Sequence, residues 1–282
     1  MKKVAVIGIC GKSVFLDCDK FPAKGESIVC NGFHTEPGGK GVNTAVAVNR
    51  LGGNVVYLVS VGNDEYGQEC IDFFRREHLR VKFCIKDGMT DYGVILHNGD
   101  GNNCVSVFID DKIKLTENDV AEFESELKDS SYVAISAEVS DKVLLKTAEI
   151  CAKYDTKIIF DPSPVREIPY EFLNKVWLFT PNETEYENLF RNIIPENAVI
   201  TLGDKGAILI ENGIKTEFPA VKASVKNTTG AGDVFNGALC YSLASGNDLS
   251  ESVKFAIKAA AYKVSGQYVM DSIPTLEKLK YD

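Results

Sequence analysis

The chain has 282 residues, 45% of them hydrophobic, and a formal net charge of -9, so it can bury a substantial core but carries no basic field for a nucleic-acid backbone. No window is long or apolar enough to span a membrane, and Met1-Lys2-Lys3 runs straight into a short strand rather than a signal peptide. The eight cysteines have no Cys-x-x-Cys pair and no histidine at ligand spacing, which reads as reduced thiols in a cytoplasmic protein.

The apolar run 4–7, bounded by Gly8, has the pattern of a strand buried on both faces of a parallel sheet. The turn that follows, Gly8-Ile9-Cys10-Gly11-Lys12-Ser13, lacks the Gly-x-Gly-x-x-Gly spacing of a dinucleotide fold, and the nicotinamide dehydrogenase reading loses its main support. Residues 15–33 then change to short extended pieces broken by Pro22 and Gly25. A second such piece covers 92–109, with 94–96 and 105–107 flanking the hairpin chemistry of Asn98-Gly99-Asp100-Gly101-Asn102. Strands outside a strand-and-helix alternation form a separate small sheet, and these two pieces are expected to make a lid. Between them, Pro37-Gly38-Gly39-Lys40-Gly41 opens a helix over 42–51 that stops at Gly52-Gly53. A glycine-rich helix entrance lets the backbone approach a ligand, and Asn43 presents an amide from the first turn; a simple loop is the competing reading. A strand over 55–60 and a helix to about His78 follow.

From Thr116 the text alternates. A helix runs over 116–127, and a strand over 132–136 ends at Ala137-Glu138. Ser140 caps a helix to Tyr154, and the strand 157–160 ends at Asp161-Pro162-Ser163-Pro164. The strand 176–180 ends at Pro181-Asn182-Glu183-Thr184-Glu185, the strand 198–201 at Leu202-Gly203-Asp204-Lys205-Gly206, and 207–210 with 215–218 reads as a hairpin. Open α/β sheets bind ligands at strand carboxyl ends, so Glu138, Asp161, Asn182, Glu185 and Gly203 are expected to border one crevice.

Asn227-Thr228-Thr229-Gly230-Ala231-Gly232-Asp233 then leads into an alanine-rich helix over 231–245, with a second over 249–265. Glycines at a helix N-terminus leave N–H groups free for an anion, and the helix dipole adds to their pull. A carboxylate there would be repelled by a phosphate, so Asp233 reads either as a general base for an attacking hydroxyl or as a residue that merely favours the helix start. His34, His78 and His97 have no Asp, Cys or Ser partner at recognisable spacing and read as packing or surface residues. With no repeat, low-complexity tract or linker, residues 1–282 are expected to form one domain with a lid at about 15–33 and 92–109.

Taken together, these motifs resemble the ribokinase family, also called the phosphofructokinase-B family of carbohydrate and nucleoside kinases, over nearly the whole chain. Gly38-Gly39-Lys40-Gly41-Val42-Asn43 is similar to its first signature and Thr229-Gly230-Ala231-Gly232-Asp233 to its second, with Phe235-Asn236-Gly237 continuing it. Asp19-Lys20-Phe21-Pro22-Ala23-Lys24-Gly25-Glu26 resembles its early lid segment, Asn182-Glu183-Thr184-Glu185 its Asn-x-x-Glu motif, and Thr201-Leu202-Gly203-Asp204-Lys205-Gly206 its nucleotide-side loop. The resemblance implies a ribokinase-like three-layer doubly wound α/β sheet with a small β-sheet lid. It implies ATP-dependent phosphoryl transfer, with Asp233 as base and the amides of Gly230, Ala231 and Gly232 as anion hole. Gly38, Gly39, Lys40, Asn43 and Glu138 would hold the acceptor, and Asn182, Thr201, Gly203 and Gly206 would line the nucleotide. Glu185 would act on Mg²⁺ through water, and Asn227 stands at a monovalent-cation position.

Three departures shape the expectation. The first turn lacks the Asn and Asp of the Gly-Ser-x-Asn-x-Asp that ribokinases carry. Asn227 replaces the usual Asp of the cation site, as in pseudouridine kinases, which predicts weaker K⁺ dependence. The segment Phe190-Arg191-Asn192-Ile193-Ile194-Pro195-Glu196-Asn197 is short where relatives insert another helix. The leading reading is a kinase of sugars or sugar-like acceptors. The alternatives are a nucleoside kinase, which would need an aromatic wall from Phe15, Phe33, Tyr92 or Phe108, and a non-catalytic sugar-binding regulator on a kinase fold. Exposed lid edges, and the same arrangement in ribokinases, imply a homodimer formed through the lid.

Overall fold

The computed structural model describes residues 1–98, 103–190 and 195–281. The chain begins with β1 (Lys3–Ile7), β2 (Gly11–Cys18), β3 (Gly32–Gly38), α1 (Lys40–Arg50), β4 (Asn54–Gly62), α2 (Glu65–Arg76), β5 (Arg80–Lys86), β6 (Asp91–Asn98) and β7 (Asn103–Phe108). It continues with α3 (Glu117–Ala121), α4 (Glu124–Lys128), β8 (Tyr132–Ser136), α5 (Asp141–Tyr154), β9 (Lys157–Asp161), α6 (Tyr170–Leu173), β10 (Val176–Phe179), α7 (Glu183–Leu189) and β11 (Asn197–Thr201). The hairpin β12 (Ala207–Glu211) and β13 (Ile214–Phe218) precedes α8 (Ala231–Ala244), α9 (Leu249–Val264), α10 (Val269–Ser272) and α11 (Leu276–Tyr281).

Among the described residues, nine strands form the main sheet in the order β13-β12-β11-β10-β9-β8-β1-β4-β5. All neighbours from β11 to β5 pair in parallel, and the β12–β13 hairpin closes one edge antiparallel. The alternation of side chains along a strand explains the three layers. On β1, Val4 and Val6 join one core with residues of α1, α2, α8 and α9, while Ala5 and Ile7 join a second core with residues of α3, α4, α5 and α6. Both faces are therefore dry, and the inner strands read as unbroken apolar runs. No helix among the described residues is long and apolar enough to cross a membrane.

β2, β3, β6 and β7 form a separate four-stranded sheet in the order β3-β2-β6-β7. Its first two strands lie largely outside the expected span 15–33: β2 starts at Gly11, β3 runs from Gly32 to Gly38, and residues 19–31 contain no strand. The expected turn at 98–102 falls mostly outside the described residues, as do 191–194 of the short connection before β11. Two further differences have plain causes. No strand was expected over 80–86, where β5 alternates Arg80, Val81, Lys82, Phe83 as a charge-protected sheet edge does. The single helix expected over 116–127 is two, because the chain turns at Phe123 and buries that ring to 1% exposure.

Candidate active site

α1 and α8 bring the two glycine-rich helix entrances together. Their approach is close at Gly237, where a Cβ would lie 2.5 Å from the Ala47 Cβ and 2.7 Å from the Thr44 carbonyl oxygen, so only glycine lets the helices meet. Across this contact Asn43 Nδ2 donates to Asp233 Oδ2 at 2.7 Å, and Thr44 Oγ1 donates to the Asp233 carbonyl at 3.3 Å. Asn43 and Asp233 are both buried, and Asn43 Oδ1 has no hydrogen-bond partner among the described residues. A buried acceptor in that state is costly unless a ligand completes it.

Gly230 is the N-cap of α8 with φ 75°, a left-handed conformation that glycine adopts without penalty. A Cβ there would also sit 2.7 Å from Val269. Behind this cap the Ala231 amide is spent on the Thr228 carbonyl at 3.1 Å. Among the described residues the amides of Gly230 and Gly232 have no such carbonyl partner, so of the three amides expected to face an anion, Ala231 is the one engaged by the backbone.

Lys40 begins α1, just after Gly39 at φ 122° and the β3 terminus at Gly38. Its amide donates to Glu138 Oε2 at 3.0 Å, and its Nζ lies 3.6 Å from Asp233 Oδ1 and 3.7 Å from Asp161 Oδ2. Asn236, one turn along α8 from Asp233, donates from Nδ2 to Asp161 Oδ2 at 3.3 Å. Burial opposes the Lys40 charge, but Asp233, Asp161, Glu138 and Glu185 together raise its pKa above the ordinary lysine value. Burial pushes Glu138 up to about 8 against the pull of Lys40. It pushes Asp161 to about 7, again against Lys40 and with Asp233 adding to the rise. One ammonium thus stands among several carboxylates that crowd one another.

The second group lies farther along the sheet. Asn182 caps α7 by a reciprocal box: its Oδ1 accepts from the Glu185 amide at 2.9 Å, and Glu185 Oε2 accepts from the Asn182 amide at 2.8 Å. Glu185 is buried and acts electrostatically on both Lys40 and Asp161. Asn182 bridges in parallel to Thr201, whose amide donates to the Pro181 carbonyl at 2.9 Å. Gly203 at φ 60° and Gly206 at φ 103° bracket the tight turn that follows β11. Asn227 lies on the other side, before the α8 cap; its Nδ2 donates to the Gln267 carbonyl at 2.7 Å and its Oδ1 accepts from the Thr229 amide at 2.8 Å.

The structure therefore gathers Lys40, Asn43, Glu138 and Asp233 into one cluster and adds Asp161 and Asn236 to it. Asn182, Glu185, Thr201 and Gly203 form a neighbouring border. Asp161 was legible as a carboxylate at a strand end. Lys263 was not recognised: it is fully buried, and its Nζ donates to the Asn227 carbonyl at 2.9 Å. Its signal lies in the spacing, since Ser252, Ala256, Ala259 and Lys263 follow one buried stripe of α9. Among the described residues no three His, Cys, Asp or Glu side chains converge to hold a metal ion.

The chain is similar to known proteins over nearly its whole length. The chain is 28% identical to the ribokinase of Lactococcus lactis subsp. lactis over 289 residues, 99% of this chain and 96% of the relative. The crystal structure of ribokinase from Thermotoga maritima superposes with a TM-score of 0.90 at 27% identity, over 100% of this chain and 99% of that one. The ribokinase of Arabidopsis thaliana, solved in complex with ribose and ATP, shares the fold at a TM-score of 0.84 and 21% identity, over 99% and 98% of the two chains. The model of the pfkB family of carbohydrate kinases matches residues 1–276, and the chain belongs to that family.

Proposed function

We propose that the protein transfers the γ-phosphoryl group of ATP to a hydroxyl of a sugar or sugar-like acceptor, with Asp233 as general base. The observation that carries this reading is the buried Asp233 carboxylate, held by Asn43 at 2.7 Å in the first turn of the helix capped by Gly230. In this reading the carboxylate accepts the proton of an acceptor hydroxyl, beside helix N-terminal amides suited to the charge that develops on the transferring group. Asn43 Oδ1 and Glu138 offer acceptors to the remaining hydroxyls, and Gly38 and Gly39 bring the backbone close. Lys40 offsets the carboxylate charge that would otherwise repel a phosphate.

Thr201, Gly203, Gly206 and Asn182 are read as the nucleotide border. β11 is two strands from β9, about 10 Å at normal strand spacing, a span suited to a polyphosphate running toward Asp161. The residues fit Mg²⁺ held through water rather than in a protein cage: Glu185 and Asp161 are single carboxylates flanking the path, and Mg²⁺ keeps several waters beside phosphate oxygens. When bound it would neutralise phosphate charge. The four-stranded sheet is read as a lid of a single domain, excluding water as a competing acceptor.

The aromatic side chains support a sugar over a nucleoside. Phe15 is buried among His34, His97 and Tyr268, and Tyr92 packs on Tyr66. Phe33 and Phe108 stand 71% and 48% exposed. Phe15 and Tyr92 are thus already packed against other rings. A phosphotransfer assay with ATP across sugars, sugar derivatives and nucleosides tests the reading. Transfer to members of the sugar set is expected; preferential turnover of nucleosides would contradict the acceptor class, and no transfer to any acceptor would contradict the kinase reading.

A further inference from the structure

The turn Asn227-Thr228-Thr229, which delivers the chain to Gly230 and the first amides of α8, is fastened to the C-terminal end of α9. The amides of Lys226 and Asn227 donate to the Val264 carbonyl at 2.8 and 3.2 Å. In the opposite sense, Lys263 Nζ donates to the Asn227 carbonyl at 2.9 Å. Lys263 is fully buried; burial pulls its pKa down to about 8 against the carboxylates of Glu36 and Asp233, so at neutral pH the side chain still carries its proton. Glu36 is itself fixed, accepting from the amides of Val269 and Met270 at 3.0 Å each.

The side chain at 227 matches this arrangement. Its Nδ2 donates to the Gln267 carbonyl and its Oδ1 accepts from Thr229; a carboxylate would face the Gln267 oxygen with no donor. The monovalent cation implied by the family resemblance does not fit here. The Asn227 carbonyl already takes an ammonium, the 227 side chain is neutral, and a second cation would meet the Lys263 charge in a region of low dielectric.

We propose that the Lys263 ammonium is a built-in monovalent cation, a positioning residue that holds the Asn227 carbonyl and the anion-binding turn in place of free K⁺. This rests on the kinase reading for its effect on turnover, while its effect on stability is read without any substrate.

The test compares wild type, Lys263→Ala and Lys263→Met in K⁺ or Na⁺ at equal ionic strength, by turnover and by thermal unfolding of the substrate-free protein. Wild type should respond alike to the two salts in both measurements. Lys263→Ala removes the ammonium and leaves room for an ion, so kcat should fall roughly ten- to hundredfold, as for loss of a charged hydrogen bond. K⁺, but not Na⁺, should then raise both its kcat and its unfolding temperature. Lys263→Met fills the space without charge and should lose turnover with no cation response. Activation of wild type severalfold by K⁺ would overturn the proposal, and that measurement needs no variant. Full turnover in both variants would overturn it too, as would equal loss in both with no cation effect on either.

Discussion

Glu138 and Asp161 are held at pKa values far above their ordinary 4.5 and 3.8, at about 8 and about 7, chiefly because burial disfavours their charged forms. A raised carboxyl pKa means that the folded protein binds a proton which the unfolded chain has already released, so this contribution to stability is present at low pH and is lost as pH rises. The window runs from the ordinary values up through about 7 for Asp161 and about 8 for Glu138. We expect Glu138→Gln and Asp161→Asn each to flatten the decline of substrate-free unfolding stability across that range. Denaturant titrations between these pH values check it, and slopes unchanged from wild type would contradict it. Asp161 was legible as a strand-end carboxylate, but its pairing with Asn236 and Lys40 depends on where α8 and α1 cross, which one sequence does not specify. Lys263 was not legible because a lysine near a helix end is ordinarily solvated, although its spacing put it on the buried stripe.

At the scale of elements, the legible ones are those whose pattern has a single cause. β1, β4, β8 and β11 are buried on both faces, and α1 and α8 open on glycines. β5 was missed because an edge strand alternates charge with apolar residues, and the small sheet began earlier than expected because Gly11-Lys12-Ser13 carries no strand-like hydrophobicity. That sheet ends in two edges, β3 and β7. Every residue of β7 is exposed, including Val105, Val107 and Phe108. Unpaired edges and bare apolar side chains of this kind are usually covered, which supports a homodimer formed through this sheet. Light scattering should give the mass of two chains, and Val107→Glu should shift it toward one. A monomeric mass for the fully active wild type would contradict the dimer.

For the whole molecule, the parallel order and the crevice at the strand carboxyl ends follow from the alternation of strands and helices, and the proposed site rests on five ordered motifs. What the sequence left open is the contact between elements 190 residues apart, the hydrogen bond from Asn43 to Asp233, and on it the mechanism depends. Asp233→Asn keeps the size of the side chain and an oxygen for Asn43 but removes the proton acceptor. The direct measurement is kcat of the purified variant, with calorimetric binding of nucleotide and acceptor and thermal unfolding as controls. General-base catalysis is worth roughly 10² to 10⁴ in rate, so kcat should fall by that much or more while binding largely persists. If Asp233 only favours the helix start, its loss would cost about 0.5 to 2 kcal/mol of stability and leave turnover of the folded protein nearly intact. Near-normal kcat in a well-folded Asp233→Asn protein would contradict the account.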